Sequence, residues 1–150
     1  MKFEVLSLPG HTKCSVGYYC REKKLFLSTE TLGVYNGKET IVPSYLVGVK
    51  DALKSIGRVQ ELDIKYLLSP HYGILNEEQT AYFLGNMKAA NEETAEFILS
   101  LLRQGKSHEE IYELFKEKYR HGYMKEIYPI AAMKLNTSIM IKLIEKEFMN

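Results

Sequence analysis

Apolar and polar residues alternate along three short stretches in the first part of the chain, as they do in half-buried β-strands. The charged turn Arg21–Lys23 joins the second stretch to the third, which predicts a β-hairpin. A fourth stretch is mostly apolar and is followed by Pro70, as expected for a buried strand. The predicted strands are Lys2–Leu6, Ser15–Cys20, Lys24–Ser28 and Ile64–Ser69.

Apolar residues recur every three or four positions in the other stretches, which is the helical pattern. We expect Pro43 to open a first helix, because proline is tolerated in a first turn, and Gly57 to cap its C-terminus. Three further helices are predicted in the second half of the chain. They begin at the capping boxes Asn76–Gln79 and Ser107–Glu110 and at Pro129. The stripe predicted to be buried in the last helix is Ala132, Leu135, Ile139 and Leu143.

The predicted elements follow one another as strand, hairpin, helix, strand and then three helices. This order indicates an α/β arrangement of layers with a helical C-terminal region. About four strands are few for a sheet that stands alone. We therefore expect another chain, or a segment outside this sequence, to complete the sheet.

The composition is typical of a globular domain: 150 residues, of which 45% are hydrophobic and 26% charged. Twenty basic and 19 acidic residues give a net charge of +1, so no strong field attracts nucleic acid or an anionic membrane. No apolar run approaches the roughly 18 residues that suggest a membrane span. The N-terminus lacks the apolar region of a signal peptide.

The two cysteines, Cys14 and Cys20, fall in or beside one predicted strand. An extended segment would hold them roughly 20 Å apart, at about 3.3 Å per residue. That separation is too large for a disulfide. We therefore predict two reduced thiols and a cytoplasmic location.

Three residues are candidate metal ligands because each follows a predicted strand. His11 lies in a Pro-Gly loop, Glu30 lies just beyond the hairpin, and His71 lies in the stretch "SPHYG". Imidazole and carboxylate groups suit zinc, iron or manganese. Each residue taken alone is more typical of an ordinary surface position, so the hypothesis depends on the three occurring together.

Three segments resemble successive segments in the second half of metallo-β-lactamase-fold hydrolases. These are "PGHTKCS" (Pro9–Ser15), "LFLSTETLG" (Leu25–Gly33) and "SPHYG" (Ser69–Gly73). The resemblance implies half of an αββα sandwich, a short mixed sheet with helices, plus a C-terminal three-helix region. Residues 1–75 would form the C-terminal half of the αβ domain, and residues 76–150 a helical extension packed on it.

The resemblance also implies roles for individual residues. His11 matches the third ligand of a first metal, Glu30 takes the place of the aspartate that bridges two metals, and His71 matches the last ligand of the second metal. The metal would be zinc, with iron or manganese as alternatives. Its bound hydroxide would hydrolyse a thioester or a small ester. Tyr72 would line the substrate cleft, and no catalytic residue beyond the ligands is assigned.

Several features depart from the family pattern. The family's His-x-His-x-Asp-His motif is absent, because the remaining histidines, His108 and His121, fall in the helical region. Glutamate replaces the bridging aspartate, threonine replaces the glycine before it, and a Lys-Cys pair replaces a Pro-Gly pair. The departing residues are Lys13, Cys14, Thr29 and Glu30.

Three hypotheses follow. In the first, the chain is a fragment or subunit of a metal-dependent hydrolase of small molecules, inactive alone, and completed by a missing N-terminal half or by a second copy in a homodimer. In the second, it is a non-catalytic interaction or dimerisation module with a degenerate metal site, which the substitutions at Cys14, Thr29 and Glu30 favour. In the third, it is a fragment of a di-iron redox protein. The third ranks last because the chain carries no flavin-binding domain.

Overall fold

The computed structural model describes residues 1–37 and 40–149, and over these residues the chain forms seven strands and five helices. The strands are β1 (Glu4–Ser7), β2 (Val16–Cys20), β3 (Leu25–Leu27), β4 (Val34–Tyr35), β5 (Ile41–Val42), β6 (Tyr66–Ser69) and β7 (Gly73–Leu75). The helices are α1 (Val49–Gln60), α2 (Glu77–Arg103), α3 (His108–Tyr119), α4 (Met124–Ile127) and α5 (Ile130–Phe148). The predicted α/β class is confirmed.

Five strands form one mixed sheet in the order β1-β2-β3-β6-β7, and β4 pairs with β5 in a separate ribbon. The β1–β2, β2–β3 and β6–β7 pairs are antiparallel, whereas β3 and β6 are parallel. Two successive antiparallel pairings restore the original strand direction. Strands β1, β3 and β6 therefore run the same way, and their C-terminal ends lie at one edge of the sheet.

Helices α1 and α2 cover one face of the sheet. Tyr19, Phe26 and Leu67 point from three neighbouring strands into a core that also contains Ile56 of α1 and Phe83 of α2. All five are 0% or 1% exposed. Removing one large apolar side chain from water contributes about 1.5–3 kcal/mol, so this layer holds the sheet on the helices.

The opposite face of the sheet carries a row of apolar residues, which we call the open face. Val5 lies opposite Tyr18, Tyr18 opposite Leu27, Leu27 opposite Leu68, and Leu68 opposite Ile74. Val5 is 64% exposed, Tyr18 41% and Ile74 71%, while Leu27 and Leu68 are half-buried. Five apolar side chains thus cross the whole sheet on a surface that is accessible to solvent.

Both predicted capping boxes are present. The backbone N–H of Gln79 donates to the side chain of Asn76 at 2.8 Å, and the backbone N–H of Glu110 donates to the Ser107 hydroxyl at 3.3 Å. Hydrogen bonds from Ser107, together with nearby Lys106, lower the pKa of the Glu110 carboxyl. These caps satisfy N–H groups that have no partner inside the helix, so α2 and α3 begin where the sequence indicates.

Helix α1 corrects one prediction, because it begins at Val49 and not at Pro43. The backbone N–H groups of Leu46 and Val47 both donate to the carbonyl oxygen of Gly10 at 2.9 Å, which holds the preceding segment in a loop. The predicted C-terminal cap, Gly57, lies inside the helix, which continues to Gln60.

The predicted buried stripe of α5 is also wrong. Leu135 is 63% exposed, and Ala132, Ile139 and Leu143 are only partly buried. The helix is apolar on two sides, so its periodicity alone does not determine which side is buried. Its packing against α2 and α3 determines the buried side. The residues that it buries are Met133, Thr137, Met140, Ile141 and Ile144.

Four short elements have no counterpart in the prediction: β4, β5, β7 and α4. Each is two to four residues long, which is too short to establish a period of 2 or 3.6. The division of the chain after residue 75 stays a prediction. Over residues 1–37 and 40–149, no helix combines the length and apolar character needed to cross a bilayer.

Candidate functional site

The three predicted ligands follow the three strands that run in the same direction. His11 lies in the loop after β1, Glu30 follows β3, and His71 follows β6. Ligands of open α/β sheets commonly bind at the C-terminal ends of such strands, where loops gather side chains over one edge. The topology therefore explains how residues so distant in sequence reach one place.

His11 is fixed by two hydrogen bonds. Its backbone N–H donates to the Thr31 hydroxyl at 3.0 Å, and that hydroxyl donates to the carbonyl oxygen of Leu8 at 2.8 Å. Its ring Nδ1 lies 2.6 Å from the carbonyl oxygen of Ser44. A carbonyl oxygen can only accept, so Nδ1 must carry the proton and the neutral ring keeps its lone pair on Nε2. Ligating histidines are commonly oriented in this way by a backbone carbonyl.

Gly10 is required for the position of His11. Its φ is +152°, and a Cβ at this residue would lie 2.6 Å from the Thr31 side chain and 2.8 Å from the Cα of Ala52. Only glycine allows the β1–β2 loop to approach α1 this closely. The close packing of this loop against α1 therefore requires glycine immediately before His11.

Glu30 and His71 contact each other. Glu30 opens a 3-10 turn after β3 and is about one-third exposed, with the side chain at 31%. His71 Nε2 lies 3.2 Å from Glu30 Oε1. The His71 backbone has φ of +63°, a left-handed conformation that costs a non-glycine residue about 1 kcal/mol, and its carbonyl accepts from the Tyr123 hydroxyl at 2.8 Å. The turns after β3 and β6 therefore bring a carboxylate and an imidazole into direct contact.

All three residues line one cavity of about 210 Å³. His11, Glu30, Ser44 and His71 form what we call the polar wall. What we call the apolar wall comes from the β4–β5 ribbon and the α4–α5 region, and consists of Val34, Val42, Met124, Ile127, Pro129 and Ala132. Tyr128 and Asn136 complete the lining.

A catalytic zinc site needs three protein ligands that converge on one point. In the part of the chain that the structure describes, no group of three or more His, Cys, Asp or Glu side chains is arranged to hold a metal ion. Glu30 and His71 lie within hydrogen-bond distance of each other, and His11 is held on its own by Ser44. The donors have the right chemistry but do not fit a catalytic metal by themselves.

Comparison with known proteins identifies the architecture. No protein-family model and no curated protein sequence matches the chain. A structural match is the crystal structure of the metallo-beta-lactamase family protein TTHA1429 from Thermus thermophilus, with a TM-score of 0.65 and 18% sequence identity. The match covers 97% of this chain and 44% of that one. The fold is metallo-β-lactamase-like. The chain spans less than half the length of this neighbour.

Tyr72 follows His71 in the chain but is not one of the residues that line the cavity. Its ring packs edge-to-face against Tyr35, with centroids 4.9 Å apart, and against Tyr123 at 5.4 Å. Its hydroxyl accepts a hydrogen bond from the Gln79 side chain at 3.4 Å. The substrate contact predicted for Tyr72 stays a prediction.

Besides Ser44, two polar residues of the lining, Tyr128 and Asn136, are absent from the sequence prediction. Asn136 donates to the Tyr128 hydroxyl at 2.9 Å, and burial raises the pKa of that hydroxyl. They lie on either side of the start of α5, whose packing brings them to the edge of a sheet formed by much earlier residues. No local pattern in the sequence points to that placement.

Proposed function

We propose that this chain is the C-terminal part of a metal-dependent hydrolase of the metallo-β-lactamase superfamily, acting on a thioester or a small ester. One observation carries the proposal: His11, Glu30 and His71 come from the ends of three strands and line the same cavity. A separate observation limits it, because the described residues do not form a three-donor group. The chain is therefore expected to be inactive alone.

The missing ligands are assigned to a partner segment that carries the His-x-His-x-Asp-His motif. The completed site would hold zinc, with iron or manganese as alternatives, since imidazole and carboxylate donors suit all three. The orientation of His11 supports this assignment, because its Nε2 lone pair is free of the Ser44 contact. In the completed site, His71 would bind the metal and would no longer contact Glu30 through the same nitrogen.

The partner segment is assigned to the open face. A contiguous exposed apolar patch on a globular chain commonly marks an interaction site. More than half of the structural neighbour lies outside the matched region, which is enough chain for a second layer over a five-stranded sheet. We therefore favour a missing N-terminal half over a second copy of this chain.

Cys14 and Cys20 are both free thiols, which supports a cytoplasmic location.

The test uses the protein recovered from its own cells through a C-terminal tag. We expect it to co-purify with, or to be continuous with, a segment that carries His-x-His-x-Asp-His, to contain zinc, iron or manganese, and to hydrolyse short-chain thioesters. His11→Ala should remove the metal and the activity. His108→Ala is the matched control, because His108 pairs with Glu145 away from the cavity.

Recovery of a metal-free 17.3 kDa chain without such a segment would overturn the hydrolase proposal. The second candidate function, a non-catalytic interaction module, would then take its place. That candidate is favoured by the direct contact between His71 and Glu30, which leaves the pair satisfied without a metal. Recovery of a symmetric dimer would assign the open face to a second copy.

A further inference from the structure

The turn between β6 and β7 has an unusual backbone conformation for the residues it contains. The backbone N–H of Tyr72 donates to the carbonyl oxygen of Ser69 at 3.3 Å, which closes a β-turn. Its two central residues are Pro70 and His71. The ring of Pro70 fixes its φ at about −65°, whereas His71 has φ of +63°. A negative φ followed by a positive φ is the pattern of a type II turn.

A type II turn favours glycine or asparagine at the position that His71 occupies, because a side chain there crowds the backbone. A type I turn has a negative φ at the same position, accepts most residues and is also compatible with proline before it. The sequence Ser-Pro-His-Tyr therefore favours type I, whereas the structure has type II. A contact from outside the turn must stabilise the less favourable form.

One hydrogen bond from outside the turn reaches its backbone directly. The Tyr123 hydroxyl donates to the carbonyl oxygen of His71 at 2.8 Å. The Tyr123 ring also packs edge-to-face on Tyr72, the last residue of the turn, with centroids 5.4 Å apart. A hydrogen bond to the carbonyl oxygen restrains the peptide group of His71. Its contribution is similar in size to the cost of a positive φ, so it can offset that cost.

Tyr123 is itself held in place by a buried side chain. The backbone N–H of Met124 donates to the Asn36 side chain at 2.9 Å, and the Asn36 amide donates to the carbonyl oxygen of His121 at 3.4 Å. Asn36 directly follows β4 and is 2% exposed. The segment on both sides of Tyr123 is therefore fixed to the interior of the protein, and the hydroxyl is presented to the turn from a defined position.

The contact between His71 and Glu30 does not explain the conformation of the turn. It joins the ends of two partly exposed side chains, at 54% for His71 and 31% for Glu30, and such pairs contribute little to stability. Rotatable side-chain bonds also separate this contact from the backbone. The sign of φ instead determines the direction in which the Cβ of His71 leaves the backbone, and hence whether its ring reaches Glu30.

We infer that Tyr123 is a positioning residue for His71. Its hydroxyl selects the type II turn, and this turn directs the imidazole toward Glu30 and the cavity that both residues line. The helical region thereby controls the orientation of a candidate ligand at the end of a β-strand. The inference rests on the proposed function for what His71 binds, but not for the conformation of the turn.

Nuclear Overhauser cross-peaks of the purified chain distinguish the two turn types. The α proton of Pro70 lies close to the amide proton of His71 in a type II turn and farther away in a type I turn. We expect a strong cross-peak between these protons in the wild type and a weaker one in Tyr123→Phe, which keeps the ring. Loss of one hydrogen bond shifts the equilibrium toward type I by about fivefold.

Tyr19→Phe is the matched control. It removes a tyrosine hydroxyl that also donates to a backbone carbonyl, that of Asp63 at 2.7 Å, outside the turn. The cross-peak should be unchanged in this variant. It should also stay strong in Glu30→Ala, because the side-chain contact does not restrain φ. In His71→Gly the turn needs no support, so adding Tyr123→Phe should no longer weaken the cross-peak.

An unchanged cross-peak in Tyr123→Phe would overturn the inference, and so would one that Glu30→Ala or Tyr19→Phe weakens as strongly. The experiment needs neither a metal nor a partner segment. The turn can therefore respond as expected while the hydrolase proposal fails. Conversely, the turn can stay unchanged in a chain that proves to be part of a hydrolase, and only the positioning role would then be refuted.

Discussion

The ring of His11 shows how one backbone carbonyl determines the chemistry of a side chain. The Ser44 carbonyl accepts from Nδ1 at 2.6 Å, so Nε2 is left to face another group. The sequence predicts the importance of His11 through its Pro-Gly-His-Thr segment. It does not predict Ser44, because the contact depends on a loop that returns 33 residues later.

Two buried tyrosines provide a prediction at the scale of single residues. The Tyr45 hydroxyl is buried and has no hydrogen-bond partner among residues 1–37 and 40–149, whereas the Tyr119 hydroxyl lies 2.5 Å from that of Thr94. An unsatisfied buried hydroxyl is destabilising, and a satisfied one stabilises by about 1 kcal/mol. We expect Tyr45→Phe to raise the free energy of unfolding by about 0.5–1 kcal/mol and Tyr119→Phe to lower it by about 1 kcal/mol.

Urea denaturation followed by far-UV circular dichroism measures both changes. The two variants remove the same atom from the same residue type, so each serves as the control for the other. A loss of stability in Tyr45→Phe equal to that in Tyr119→Phe would contradict the assignment of an orphaned hydroxyl.

At the scale of elements, two glycines should respond to alanine in opposite ways. Gly57 lies inside α1, and a Cβ added to it would meet no atom of the described residues within 4 Å, so Gly57→Ala should stabilise the protein by about 0.5–1 kcal/mol. Gly10→Ala should destabilise it by about 2 kcal/mol or more, because the new Cβ would overlap Thr31 and Ala52. Thermal unfolding of both variants tests the pair. Equal effects would mean that the β1–β2 loop can move away from α1.

The elements also show what a sequence pattern can and cannot predict. The starts of α2 and α3 are predictable because Asn76 and Ser107 satisfy local N–H groups. The start of α1 is not, since Leu46 and Val47 donate to Gly10, which is more than 30 residues away in sequence. Local signals predict elements whose polar groups are satisfied locally. The boundaries of an element that depend on contacts with distant residues cannot be predicted from the local sequence.

At the scale of the whole molecule, the open face predicts the behaviour of the isolated chain. Without a partner segment, we expect the chain to self-associate as its concentration rises. Ile74→Lys should weaken that association by about tenfold or more, because burial of one isoleucine contributes about 1.5–3 kcal/mol. Leu135→Lys is the control, since Leu135 is similarly exposed, at 63% against 71% for Ile74, but lies on α5.

Sedimentation velocity over a range of concentrations distinguishes the outcomes. A chain that stays monomeric at every concentration, or one in which Leu135→Lys weakens association as strongly as Ile74→Lys, would argue against the open face as the interacting surface.

Stability at alkaline pH is a further property of the whole molecule. Burial raises the pKa of Tyr45, Tyr119 and Tyr128 above the usual value of 10.0. The unfolded chain therefore loses these protons at a lower pH than the folded one. Their contribution is complete below pH 10 and is lost as the pH rises toward the folded-state pKa values. Unfolding free energies measured from pH 8 upward should fall above pH 10, and less steeply in Tyr45→Phe; an unchanged slope would contradict this account.

The part of the apolar wall that runs from Met124 to Ala132 is encoded far from His11, Glu30 and His71, although Val34 and Val42 of the same wall are not. Mutations in one stretch can therefore be selected without altering the other. A duplicated copy could acquire a larger or smaller residue at Ala132, and with it a cavity of different size, while the polar wall is inherited unchanged. Divergence among such descendants should concentrate in α4 and the first turns of α5.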